Sequence, residues 1–193
     1  MLPLPSPMTS VTPALKEWQI AIQALEQGDM ILLLRKGGIR EVGGQFTVAA
    51  QTVALYPTYE HQKPEWLKPA YAPCVVPVAS GWHPETVTIR SWAEITHVLP
   101  VRQADRVAAL APWHIWHETF VTDRLKWKPQ QPLYVLLLRV YRVPPVELPY
   151  LPQYGGCQSW IELAIDLPYD RIQPALSHAD YTAQVTAIQS LLG

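Results

Sequence analysis

The sequence predicts an α+β fold: a mixed or antiparallel sheet, one that could curl toward a barrel, flanked by an N-terminal and a C-terminal helix. Three observations lead there. Helical patterns stand at the two ends of the chain, over "TPALKEWQIAIQALEQG" and "SHADYTAQVTAIQSLL". The segments of strand character between them do not alternate with helices in the manner of parallel βαβ units. Twenty prolines in 193 residues cap short elements and break long helices, which favours short strands joined by ordered loops over a helical bundle.

Each element has its own reason. Residues 1–11 are rich in Pro and Ser and read as a loose tail, which leaves 12–193 for a single globular domain. The first helix is expected from Thr12 as cap and Pro13 at the first helical position, with Leu15, Trp18, Ile22 and Leu25 on one stripe and Gly28 as the stop. Met30 to Leu34 is an apolar run directly after that stop and reads as a buried strand. Gly37-Gly38 and Gly43-Gly44 bracket "IREV", so Met30–Arg35 and Gln45–Ala50 are expected to be antiparallel neighbours joined by a glycine-rich loop. "TVALYPT" gives another short strand, and "EHQKPEWLKPAY" holds a single helical turn at most. In "ETVTIRSWAEITHVLPV" alternate residues match the period of a half-exposed strand running to Val101. Residues 103–128 look helical but split at Pro112. "LYVLLLRVYRV" is apolar on both faces, which places it centrally in the sheet, and "SWIELAIDL" is a further strand. The last helix has Ser177 as cap, Asp180 three residues on, and Tyr181, Val185, Ile188 and Leu192 on one face.

Composition excludes several classes. A net charge of −1 argues against a general polyanion binder, although a local basic patch is compatible with a neutral total. Cys74 and Cys157 form no CxxC pair and lack zinc-finger spacing, so neither a disulfide framework nor a structural zinc is expected. The longest apolar run is far too short to cross a bilayer, and "MLPLPSPMTS" does not resemble a signal peptide; the expectation is a cytoplasmic protein without a membrane partner.

Candidate chemistry concentrates in turns. "RKGGIREVGG" offers Arg35, Lys36, Gly37, Gly38, Arg40 and Glu41, but it lacks the GxxxxGK[ST] order of a phosphate loop and precedes a strand rather than a helix. It reads as a hairpin loop whose charges face water, or as one edge of a pocket. "YPTYEHQK" sets Tyr59, His61 and Gln62 in a polar run, and a histidine there suits a general base or a recognition surface. If the loops after residues 35 and 57 share one end of the sheet, Lys36, Arg40, Glu41 and His61 converge. His114 and His117 stand at HxxH spacing without the HExxH glutamate or a third ligand, and read as packing residues; no metal and no cofactor is expected. Cys157 follows a Gly-Gly turn, a tolerable setting for a nucleophile, yet a lone cysteine entering a strand is more often a small buried hydrophobe. Glu162 and Asp166 share a strand face without a following lysine, a weak nuclease signal. The eight tryptophans supply core for the most part, with one or two, among Trp66, Trp82, Trp92, Trp113, Trp116, Trp127 and Trp160, left for a stacking surface together with Tyr59, Tyr71 or Tyr154.

Four blocks in order, "ALKEWQIAIQALEQGDMILLLRKGGIRE", "LYPTYEHQ", "PLYVLLLRVYRV" and "YGGCQSWIEL", resemble the uncharacterised bacterial family called domain of unknown function 1802, common in cyanobacteria. The resemblance runs from about Ala14 to Leu167 and implies no established activity; it implies an association with restriction-modification-type regions, which is not a mechanism. Its block signatures fall on Arg35, Lys36, Gly37, Gly38 and Glu41, on Pro57, Thr58, His61 and Gln62, and on Gly156, Cys157, Ser159 and Trp160. Three functional expectations follow. The first is an accessory domain binding nucleic acid or a nucleotide through Arg35, Lys36, Arg40 and His61 with an aromatic stacking partner. The second is a hydrolase or nuclease using His61 with Glu41 or Cys157. The third is a scaffold whose glycine hairpin docks a protein partner.

Overall fold

The computed structural model describes residues 13–36, 40–42, 45–156, 158–163, 165 and 172–193. The fold is α+β. Its main sheet contains β1 (Pro13–Trp18), β2 (Leu32–Arg35), β5 (Thr52–Thr58), β6 (Thr86–Val101), β7 (Leu133–Pro149), β8 (Trp160–Glu162) and β9 (Gln173–Pro174). The strand order is β2-β7-β6-β5-β1-β8, with β9 on β7. All pairings are antiparallel except β1 with β5, so the sheet is mixed, and it remains open between β2 and β8 rather than closing as a barrel. β3 (Arg40–Val42) and β4 (Gln45–Thr47) form a separate two-stranded hairpin. The helices are α1 (Gln19–Gln27), α2 (Ala104–Ala109), α3 (Glu118–Lys126) and α4 (His178–Leu192).

β6 and β7 form a ribbon paired from Thr86↔Pro149 to Val101↔Leu133, with register shifts after Ile89 and Ile95 that bend it. Residues from both of its faces enter a core. On one face a large core gathers Leu33 and Leu34, Val53 and Leu55, Ala93 and Ile95, and is covered by α1, α2, α3 and α4. On the other a smaller core holds Ala14, Ala54, Tyr56, Val87, Ile89 and Trp92. Successive residues of β5 enter alternate cores, which is the strand period at work. β7 lies between β2 and β6, the central place its apolar run implied. α4 starts at Ser177, whose Oγ accepts the Asp180 N–H at 3.1 Å, and buries Tyr181, Val185 and Ile188 as its pattern required.

Two expectations are corrected. Residues 13–18 are not the first turns of a helix but strand β1, hydrogen-bonded to β5 on one side and β8 on the other. The helical stripe read across Leu15 and Trp18 was overridden by pairings that bury Ala14 and Leu15 completely. α1 begins only at Gln19; its N-cap, Trp18, gives no side-chain cap, and Gln62 supplies it instead by accepting the Ile20 N–H on Oε1 at 3.1 Å. Gly28 still ends the helix, at φ 80°, where a Cβ would meet the Leu176 side chain at 2.8 Å. Likewise, Leu32–Arg35 pairs with β7 and not with Gln45–Ala50; the hairpin partner of β4 is the short strand Arg40–Val42. The expected tail lies outside the described residues. Among those described, no helix is long and apolar enough to cross a membrane.

Candidate functional site

β1 and β5 run parallel, in register from Ala14↔Ala54 to Trp18↔Thr58, so their carboxyl ends and the segments after them lie together. Strand ends of this kind are favoured binding positions because following loops can present side chains over a rigid edge. A cleft of about 500 Å³ opens there. Lys16, Glu17 and Arg35 line its base at the strand ends, Tyr59 and His61 line it from the segment after β5, beside Trp82, and Tyr150, Trp66 and Arg124 complete the lining.

The base is held by charge-assisted bonds. The Lys16 ammonium is buried and donates to the Tyr154 carbonyl at 2.5 Å and the Gly156 carbonyl at 2.9 Å, anchoring the chain beside β8. Arg35, at the end of β2, donates to the Lys16 carbonyl at 2.7 Å and to Ser159 Oγ at 3.2 Å, and pairs with Glu17 Oε2 at 2.9 Å. The wall after β5 is held the same way. Thr58 Oγ1 donates to the Glu17 carbonyl at 3.0 Å, and Gln62 Nε2 donates to the Tyr59 carbonyl at 3.3 Å. Glu60 accepts the Gly81 N–H at 2.5 Å, the main reason its carboxyl lies below the usual carboxylate range, and this bond ties the Trp82 loop to the wall.

Rings cover much of the remainder. Tyr59 meets Trp82 edge-on with centroids 5.8 Å apart, His83 stacks on Tyr150 at 3.5 Å, and Trp18 lies parallel to Trp66 at 6.0 Å. Tyr56 is edge-on to Tyr154, with a hydroxyl that has no hydrogen-bond partner among the described residues and a pKa raised by burial. Arg124 projects from α3 over the Phe120 ring at 4.9 Å. Burial lowers its pKa, with Glu17 acting the opposite way, yet a guanidinium remains charged. Among the described residues it makes no hydrogen bond, so its five donors are available to a ligand. With Lys16, Arg35 and Arg124 against Glu17 and Glu60, the cleft carries one net positive charge with its histidines neutral.

A family model, that of a domain of unknown function, matches residues 14–187. The chain belongs to the DUF1802 family. No curated protein and no solved structure matches this DUF1802 chain.

Of the residues singled out in the sequence, the structure brings Arg35, Tyr59 and His61 of this DUF1802 protein into one cleft, with Gly156 and Ser159 beside them. His61 is exposed on the rim in the left-handed region at φ 65°, its Nε2 3.6 Å from Glu60 Oε1. Gln62 points inward as the α1 cap. Lys36 is buried away from the cleft, where its ammonium donates to the Leu125 carbonyl at 2.8 Å and burial lowers its pKa. Trp160 packs against the large core. Gly37, Gly38 and Cys157 lie outside the described residues, and Arg40 and Glu41 are described only as the backbone of β3. His114 is buried beside Trp116, while His117 caps α3 by accepting the Thr119 N–H; they do not share a helix face. Among the described residues, no three His, Cys, Asp or Glu side chains gather as metal ligands would.

Sequence reasoning missed Lys16, Arg124 and Tyr150. Lys16 stands outside the Leu15, Trp18, Ile22 and Leu25 stripe on which the helical reading rested, so that reading gave no reason to single it out.

A second cleft, about 510 Å³, lies on the other side of Tyr59, between α1 and the start of β6. There Glu26 accepts a hydrogen bond from Ser91 Oγ at 2.7 Å, flanked by Arg90 and Arg142. Burial raises the Glu26 pKa, against the lowering pull of Ser91, Arg90 and Arg142. A carboxyl whose folded pKa exceeds its unfolded one contributes stability that is full below the unfolded value and lost as pH rises through the folded value. Glu26→Gln keeps an acceptor for Ser91, so it is expected to raise the melting temperature at about pH 7.5 and to leave it unchanged near pH 4. Thermal scans at both pH values check this, and destabilisation at the higher pH would show that attraction to the arginines outweighs burial.

Proposed function

We propose that the cleft beside β1 and β5 binds a nucleobase-bearing anion, a nucleotide or a segment of nucleic acid, without a cofactor. The observation that carries this reading is the Arg124 guanidinium, seated on Phe120 with no hydrogen-bond partner among the described residues, in the same cleft as the Tyr59–Trp82 ring pair. A phosphate satisfies a planar cationic fork, and a base stacks on rings whatever its identity, so the two features together suit such a ligand better than either an apolar molecule or a bare anion. The volume fits one or two nucleotides and is too small for a duplex.

The test is a thermal-shift and fluorescence-anisotropy panel of mononucleotides, short single strands of DNA and RNA, and duplexes. A ligand that binds only the folded chain raises its melting temperature. Arg124→Ala is expected to weaken the binding roughly tenfold or more and to flatten its salt dependence. Affinity unchanged in that variant excludes the cleft, and no shift with any member of the panel excludes the function.

A hydrolase is the second reading, favoured by His61, a titratable side chain on the cleft rim in a sparsely populated backbone region. The same panel incubated with magnesium and assayed for product separates the two: intact ligands leave binding alone.

A further inference from the structure

β5 and β6 are register-paired only over Thr52–Ala54 and Trp92–Glu94. Beyond these residues the two strands separate. Leu55–Thr58 keeps its pairing with β1, and Thr86–Ile89 keeps its pairing with β7, but no register joins the two segments to each other. Both clefts open along this split. Val87 faces the first cleft, while Thr88 and Arg90 face the second, because successive residues of a strand point to opposite faces. Pro57 and Tyr59 line both. The two clefts are therefore adjoining mouths of one gap in the sheet, with Tyr59 on the ridge between them.

The second mouth has the same chemistry as the first. Arg90 and Arg142 face it with no hydrogen-bond partners among the described residues, and the Arg142 Nε is buried without one. They outnumber the one carboxyl there, Glu26, which already accepts the Ser91 hydroxyl. Gln19 and Gln23 from α1 add amide donors and acceptors of the kind that meet base edges. Two separate cationic pockets sharing an aromatic ridge are more than one nucleotide can use. They suit a chain of phosphates with bases between them.

We propose that the ligand is a single-stranded nucleic acid, which crosses Tyr59 with a phosphate at Arg124 on one side and phosphates at Arg90 and Arg142 on the other. This rests on the reading of the first cleft given above and extends it from a nucleotide to a strand. The Tyr59 ring is the stacking platform at the crossing.

Affinities of the 193-residue chain for thymidine monophosphate and for octathymidylate, measured by calorimetry and anisotropy over a salt series, test the proposal. The octamer is expected to bind at least roughly tenfold more tightly, because its second attachment forms at a high effective concentration. Arg90→Gln with Arg142→Gln is expected to remove most of that gain and to reduce the slope of log affinity against log salt by about 1.4, near 0.7 for each phosphate no longer neutralised. The loss should fall on the octamer and not on the mononucleotide. Arg90→Gln alone, at an exposed position, is expected to take part of the gain with the melting temperature unchanged, which separates a binding effect from a folding one. An octamer no tighter than the monophosphate, or one indifferent to Arg90→Gln, overturns the strand while leaving the nucleotide reading in place. Failure of both ligands to bind overturns both.

Discussion

Replacing Arg35 with alanine is expected to lower the melting temperature by about 6–12 °C, from a loss of roughly 3 kcal/mol in a chain of this size. The magnitude follows from what the guanidinium ties together. It joins the end of β2 to β1 through the Lys16 carbonyl, to Glu17 through an ion pair at 2.9 Å, and to Ser159 just before β8. Those strands come from the two ends of the sheet, β2 at one and β1 with β8 at the other, so one side chain spans the opening that a closed barrel would lack. The pair is little exposed, 15% for Arg35 and 13% for Glu17, and truncating one partner leaves the other's charge without compensation in a poorly solvated place. Arg35→Lys keeps the charge but not the fork, and is expected to recover less than half of the loss. Adding Glu17→Gln to Arg35→Ala removes the stranded carboxylate, so the double variant should be more stable than the sum of the single losses. Thermal unfolding of the parent, the two Arg35 variants, Glu17→Gln and the double variant decides it. A single variant within about 2 °C of the parent would mean that the three interactions are replaceable by water.

The strands that could be read from the sequence are those whose signal is local. β6 announces itself by period-two alternation, β7 by an apolar run with no polar face, and α4 by a serine cap and an apolar stripe. β1 could not be read in this way, because Pro13 and the Leu15, Trp18, Ile22 and Leu25 spacing satisfy a helix template as well as any helix does. What makes it a strand is pairing with residues about 40 and 150 positions away. The same cause misassigned the partner of β2. Glycine pairs argue for a tight turn and so for the nearest strand, whereas Leu32–Arg35 found β7 about a hundred residues later.

The site was legible to the same extent. Polar residues in the turn after β5 pointed to Tyr59 and His61, and the end of the first apolar run pointed to Arg35. Lys36 looked equivalent to Arg35 in sequence, yet adjacent residues at a strand end face opposite ways, and Lys36 reaches the end of α3 rather than the cleft. Arg124 could not be anticipated, since nothing in "ETFVTDRLK" distinguishes it from a solvated helix cation until Phe120 packs against Trp18 and Trp66. The arginine with the strongest functional case is thus the one with the least sequence signal.

His114 is expected to make the protein markedly acid-sensitive between about pH 6.5 and pH 4. It is 4% exposed, packed beside Trp116 at 5.8 Å, and among the described residues neither ring nitrogen has a hydrogen-bond partner of good geometry. Burial, reinforced by the nearby Lys68 ammonium, lowers its pKa from 6.5 to about 4. The folded chain therefore resists a proton that the unfolded chain accepts. Its contribution is fully retained above the unfolded pKa, is lost as pH falls through the interval, and changes no further once pH is below the folded value. An interval of about 2.5 units corresponds to roughly 3 kcal/mol, or about 6–12 °C in melting temperature. Carboxyls also exchange protons as the pH falls, so the quantity to measure is the difference between the parent and a variant that cannot titrate at position 114. His114→Leu fills the site with apolar volume and leaves no nitrogen unpaired. Its melting temperature should fall less steeply than the parent's from pH 7.5 to 4.5, the two curves diverging by about that 6–12 °C. Parallel curves would mean that His114 takes up its proton in the folded state at its ordinary pKa, by opening of the segment between α2 and α3 at a cost too small to register.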